Sequence, residues 1–193
     1  MITVLGLHGY RQNGELMSKK LTKIFGAQVN LICPTGPYYS DNTDNSKRGW
    51  WQLESKEMFT QEHTYLGYNE ALSEINKLLT TVDTIDFLIG FSQGAVFTTL
   101  LLANDLLISK NVKGVILISG SPIMDISLRD IKIINLPSLH IVGDNDTLCS
   151  SIFSKQLVLN YYQPEFYHHR YGHVIPTDRL SREHIKSFIK RYI

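Results

Sequence analysis

Six short apolar runs, separated by stretches with apolar residues at helical spacing, constrain this chain more than any other feature. The runs are ITVLGL (2–7), AQVNLIC (27–33), DFLIGF (86–91), GVILIS (114–119), SLHIVG (138–143) and EFYHHR (165–170). Several are apolar at successive positions instead of alternating, as strands are when helices cover both faces of a sheet. Between them, GELMSKKLTKIF, YNEALSEINKLL, QGAVFTTLLLANDLL and SSIFSKQLVLNYY read as helices, and SREHIKSFIKRY is a helix at the chain's end. In the second of these Leu72, Ile75, Leu78 and Leu79 form one stripe, with Glu70, Glu74 and Lys77 outside it. Alternation of this kind predicts an α/β architecture: a mostly parallel central sheet of about six strands with right-handed crossovers and helices on both sides.

A length of 193 residues suits a single domain over 1–193, with one substantial core. The one long irregular stretch is 34–62, rich in Pro, Gly, Tyr, Asp, Asn and Ser. Loops of that length inside a compact unit are usually functional or disordered. Charged residues make up 19% and the formal net charge is +1, with no run of Lys or Arg. That leaves no electrostatic footprint for a nucleic acid or an anionic membrane. The apolar runs fall short of a membrane span, and a strand from residue 2 leaves no signal peptide. Cys33 and Cys149 have no metal spacing and no disulfide framework around them. A cytoplasmic protein with two reduced thiols is the expectation.

The third run enters its helix through LIGFSQGA (88–95), a Gly-x-Ser-x-Gly junction. In open α/β sheets ligands bind beyond the carboxyl ends of strands, where Ser92 falls. Small residues two before and two after the serine let strand and helix approach closely. The serine is then strained and exposed, with the Gln93 N–H at a helix start facing a developing oxyanion. An N-capping serine in an ordinary strand-to-helix turn explains the hydroxyl, but not the two flanking glycines.

A nucleophilic serine needs a base, and the base needs an acid to hold its tautomer. Both follow Ser92 in the chain order of hydrolases with such an elbow. The acid comes from VGDNDTL, where Asp146 is favoured because it lies deeper in the loop. Asp144 fits better as a turn-former, and Asp125, after the preceding strand, is a further option. The base is His173 in YGHVIP, with Gly172 allowing the turn that points its ring inward; His168, His169 and His184 are given core or surface roles. The second oxyanion donor is expected in GLHGYRQNG as the Tyr10 N–H, with His8 tying that loop down.

Tyr38, Tyr39, Trp50, Trp51 and Phe59 are many large apolar groups for an irregular segment. They form either a substrate-pocket wall over Ser92, for which Trp50, Trp51 and Tyr38 are the candidates, or a satellite core on the sheet edge. Arg48 pairs with a carboxylate of the protein or substrate, or stays in solvent.

LHGYRQNG, RGWW, LIGFSQGA, GDNDTL and GHVIP, in that order over residues 2–178, resemble the FSH-type serine hydrolases. That group takes in the ovarian-cancer-associated hydrolase and the fungal polyketide-releasing thioesterases. More distantly, the spacing is similar to that of small carboxylesterases and acyl-protein thioesterases. The resemblance implies an α/β-hydrolase fold without a large cap domain and hydrolysis of carboxylic esters or thioesters. Residue by residue it supports Ser92, Asp146 and His173, with Tyr10 and Gln93 as oxyanion donors. The function expected is therefore a serine esterase or thioesterase acting on a small acyl ester or thioester through an acyl-enzyme. No metal or organic cofactor is required. A lipid esterase or acyl-protein thioesterase using the same groups is one alternative, and a non-catalytic binding module on the same fold is another.

Overall fold

The protein is described by a computed structural model covering residues 1–52 and 64–193, so Phe59 lies outside the described residues. In chain order the elements are β1 (Ile2–Leu7), α1 (Gly14–Phe25), β2 (Val29–Ile32), β3 (Tyr38–Tyr39), β4 (Arg48–Gly49), α2 (Tyr68–Thr80), β5 (Phe87–Phe91), α3 (Gln93–Ala103), β6 (Gly114–Ile118), β7 (Ser138–Gly143), α4 (Ser151–Val158), β8 (Glu165–His169) and α5 (Arg179–Arg191). Six strands form one sheet in the order β2-β1-β5-β6-β7-β8. Every pairing in it is parallel.

The apolar runs bury residues of both parities because each sheet face has its own core. Leu5, Leu7, Leu88, Val115 and Leu117 point into a cluster closed by Ile75 and Leu79 of α2, Phe97 and Leu101 of α3, and Leu157 of α4. Val4, Phe87, Ile89, Phe91, Ile116, Ile118, Leu139 and Ile141 point the other way. They pack on Met17, Leu21 and Ile24 of α1 and on Ile185 and Phe188 of α5. This is the period of two that a pleated strand imposes, with apolar residues required on both faces.

Helix termini follow local chemistry. α1 starts where the Asn13 side chain accepts the Leu16 N–H, and α5 starts where Asp178 accepts the Ser181 N–H. α3 ends at Ala103, four residues earlier than its apolar pattern predicts. The Asn104 amide turns back to the Leu100 carbonyl and the Tyr68 hydroxyl, and Asp105 takes a left-handed φ of 59°. Within the irregular stretch, β3 and β4 pair as an antiparallel ladder too short to announce itself by periodicity. No helix among the described residues is long and apolar enough to cross a membrane.

Among the buried histidines, two have shifts large enough to predict an acid-sensitive fold. Burial lowers His140, in β7, to about 3, and lowers His8, after β1, to about 4. Each has a folded pKa below its unfolded value of about 6.5. Protons therefore bind the unfolded chain preferentially between the two values, and stability falls as pH drops through that window. The loss is about 1.4 kcal/mol per pH unit per histidine. Urea midpoints measured from pH 7.5 to 4.5 are expected to fall below about pH 6.5, with a shallower slope in His140→Leu.

Candidate active site

Ser92 lies one residue beyond the carboxyl end of β5 with φ 53° and ψ −118°, a conformation that L-residues rarely adopt. Its side chain makes no capping bond to α3, so the N-cap explanation of this serine fails. Both flanking glycines are required sterically. A Cβ on Gly90 would sit 2.5 Å from the Gly94 carbonyl oxygen and 2.6 Å from Ala95 Cα, where α3 crosses its own strand. A Cβ on Gly94 would sit 2.1 Å from the Leu7 carbonyl oxygen and 2.6 Å from that of His8. The second glycine thus admits β1 and its following loop, a contact that strand–helix packing alone does not require.

That turn aims the Ser92 Oγ at His173, whose Nε2 is 2.9 Å away, while His173 Nδ1 is 2.7 Å from Asp146 Oδ2. The imidazole packs on the Phe91 ring at a centroid distance of 4.9 Å. The other carboxylate oxygen of Asp146 accepts the N–H groups of Leu148 (3.0 Å) and Cys149 (2.8 Å). Burial raises the Asp146 pKa, but the bonds from His173 and the Cys149 N–H outweigh it, and the group stays below the ordinary carboxylate range. An ionised Asp146 calls for a proton on His173 Nδ1 and leaves Nε2 free to accept from Ser92.

The other candidate acids are committed elsewhere. Asp144 faces His168, with Oδ1 2.9 Å from Nδ1, instead of bonding its own backbone. Asp125 accepts the N–H groups of Ser127 and Tyr65. His169 is buried, accepting the Tyr171 N–H, and His184 stacks on Tyr167. Gly172 does not serve a left-handed turn. Its importance is proximity, since a Cβ there would approach the Asn145 carbonyl oxygen to 3.2 Å.

The loop after β1 runs against the elbow: a Cβ on Gly9 would lie 2.9 Å from the Phe91 ring and 3.2 Å from Ser92 Cβ. This brings the Gly9 backbone beside Ser92, with Tyr10 the next residue along the chain. Gln93 is the first residue of α3, so its N–H has no acceptor within the helix. The Gln93 side chain does a different job, which the sequence does not signal. Its Oε1 accepts the Trp50 N–H at 2.9 Å and its Nε2 donates to the Trp51 carbonyl at 3.0 Å. The Trp50 indole N–H donates to the His8 carbonyl at 2.8 Å. His8 donates from Nδ1 to the Gly9 carbonyl (2.8 Å) and accepts the Gly36 N–H at Nε2 (2.9 Å), so the ring is neutral and ties down its loop.

The pocket-wall expectation for the tryptophans is corrected here. Trp50 is 1% exposed and Trp51 2%, and they pack as core with Tyr65, Tyr68 and Phe97. Tyr38 lies against the start of α2, where a Cβ on Gly67 would meet its ring at 2.2 Å. The two tryptophans, this enclosed, present little surface to a ligand, whereas Tyr38 is half-buried. Arg48 meets no carboxylate among the described residues. It donates to the carbonyls of Gly36 (3.0 Å) and Pro37 (2.8 Å) and lies 3.9 Å over the Tyr39 ring.

The family profile described as "Serine hydrolase (FSH1)" matches residues 1–185. Among characterised relatives, the chain is 26% identical to "Esterase OVCA2" of Danio rerio, covering 99% of this chain and 97% of that protein. Among solved structures it is similar to the Bacillus cereus carboxylesterase, with a TM-score of 0.71 and 19% identity over 100% of this chain and 89% of that one. It is likewise similar to Zea mays acyl-protein thioesterase 2, with a TM-score of 0.66 and 17% identity over 97% of this chain and 94% of the other. These likenesses establish an α/β-hydrolase fold.

Gly94→Ala is expected to disrupt the junction itself, because rigid backbone leaves no space for a methyl group. Its melting temperature should fall as for an overpacked core, a loss of about 1–3 kcal/mol or more. Thermal unfolding by circular dichroism checks this.

Proposed function

We propose a serine esterase or thioesterase mechanism for this chain, which belongs to the FSH1 serine hydrolase family. The observation that carries the reading is the continuous relay from Ser92 Oγ through His173 to the buried, ionised Asp146. His173 Nε2 takes the Ser92 proton as Oγ attacks the acyl carbonyl carbon, and Asp146 stabilises the imidazolium that forms. The backbone N–H groups of Tyr10 and Gln93 receive the negative charge on the carbonyl oxygen. His173 then gives its proton to the departing alcohol or thiol, leaving an acyl group on Ser92. Water, deprotonated by His173, attacks that acyl group and frees the carboxylic acid.

The fold supports this reading by where it puts the pieces. Ser92, Asp146 and His173 follow the carboxyl ends of β5, β7 and β8, three parallel strands of one sheet, where open α/β sheets bind ligands. The zebrafish relative is an esterase by name, and the maize structure is an acyl-protein thioesterase by name. For this chain both leaving groups fall within one mechanism, carried by a single domain over 1–193. Cys33 and Cys149 are free thiols, in keeping with a reducing, cytoplasmic setting.

A fluorophosphonate probe read by intact mass is expected to add once to the wild-type protein and not to Ser92→Ala. A folded wild type that takes no probe favours a binding module instead. On activated acyl esters, Asp146→Asn should lower kcat by about 10⁴-fold, through loss of the productive histidine tautomer. A series of acyl esters and thioesters of rising chain length then ranks the substrate classes by kcat/KM.

A further inference from the structure

Four consecutive strands of the sheet, β5 to β8, end on the edge that carries the site. Three of them are followed by a member of the proposed relay: Ser92 after β5, Asp146 after β7 and His173 after β8. The strand between the first two, β6, is followed by Ser119, to which nothing has been assigned. Its backbone bonding matches that of Ser92. The Ser92 N–H extends the β5–β6 ladder to the Ile118 carbonyl, and the Ser119 N–H extends the β6–β7 ladder to the Ile141 carbonyl, both at 2.9 Å.

The φ of Ser119, like that of Ser92, is positive. Six non-glycine residues have left-handed φ among the described residues. Arg11, Asp105, Asn111 and Gln163 are in exposed loops, where Asn and Asp in particular tolerate that region. The two buried ones are Ser92 at 53° and Ser119 at 49°. Glycine would adopt this backbone without strain, and Gly120 stands directly beside it. A buried, strained serine retained where glycine fits better points to a task for its side chain.

That side chain is 1% exposed overall, and its Oγ makes no hydrogen bond in the present rotamer. A buried hydroxyl without a partner is costly. The turn that carries Asp146 lies against this strand end: Cys149, whose N–H Asp146 accepts at 2.8 Å, donates its thiol to the carbonyl of Gly120, the residue next to Ser119, at 3.3 Å. A hydroxyl there favours the charged form of the Asp146 carboxylate. Asp146 has capacity for this donor: Oδ1 already takes two backbone N–H groups, and Oδ2 takes only His173. A carboxylate offers about four lone-pair sites.

We propose that Ser119 is a positioning residue for hydrolysis, its hydroxyl turning to donate to the Asp146 carboxylate and so holding the acid in register with His173. The inference rests on the reading of Asp146 as the acid of the relay.

The test compares Ser119→Ala and Ser119→Gly with wild type for kcat, KM, fluorophosphonate labelling and melting temperature. Ser119→Gly removes the hydroxyl and the backbone strain together, so a purely structural residue would give an equally or more stable enzyme with unchanged turnover. The expected result is a fall in kcat of about 10-fold or more in both variants, the scale of one hydrogen bond to a charged group, with KM within about twofold. Ser119→Gly should at the same time melt at or above the wild-type temperature. Wild-type kcat in Ser119→Gly overturns the inference. So does a loss of kcat that follows a loss of melting temperature in both variants. Failure of the wild type itself to label sinks the relay reading, and is told apart by requiring no Ser119 variant.

Discussion

The close approach of backbone to backbone at Gly94 is the constraint on which the rest of the site depends. With the Leu7 and His8 carbonyl oxygens 2.1 and 2.6 Å from where a Cβ would stand, β1, β5 and α3 converge on one point with no side chain between them. That convergence sets the elbow at Ser92 and brings the Gly9–Tyr10 backbone alongside it. The left-handed strain at Ser92 is tolerable because two hydrophobic layers, one on each face of the sheet, hold the flanking strand and helix in place.

From that point the hydrogen bonds radiate through the irregular segment. Gln93 grips the Trp50–Trp51 backbone on both edges, Trp50 reaches the His8 carbonyl, and His8 reaches Gly36. Both backbones proposed to hold the oxyanion, those of Tyr10 and Gln93, are therefore fastened to one buried circuit. Donors preorganised in this way need no rearrangement as charge develops, which is the larger part of what such a site contributes to rate. The circuit also demands a neutral His8, and burial supplies it by lowering the ring to about 4.

The acid side of the site is built on the same plan. Asp146 keeps its charge although burial opposes it, because two backbone N–H groups and His173 converge on it. The carboxylate is spent on orientation, and the histidine is left with one open nitrogen facing the serine. The turns after β5, β7 and β8 thus bring together the three side chains of the proposed relay, with His173 reaching back from the edge strand to stand between the other two.

Six strands, several of them two-faced, five helices and the elbow were legible in the sequence, because periodicity and a doubled glycine are local signals. Ser92, Asp146 and His173 were legible as candidates for the same reason: each follows a strand end, and chain order restricts the choice. The burial of Trp50 and Trp51 was not legible, since an aromatic cluster in a loop reads alike as pocket wall or as core. Their fate depends on the Gln93 amide and the His8 carbonyl, partners more than forty residues away in one direction or the other. Distance likewise distinguishes Asp144 from Asp146, one carboxylate meeting His168 and the other His173. Composition and spacing determined which chemical groups this chain places at its sheet edge. The tertiary structure alone decided which of them touch, because hydrogen bonds select partners within about 3 Å, and no local pattern carries that information.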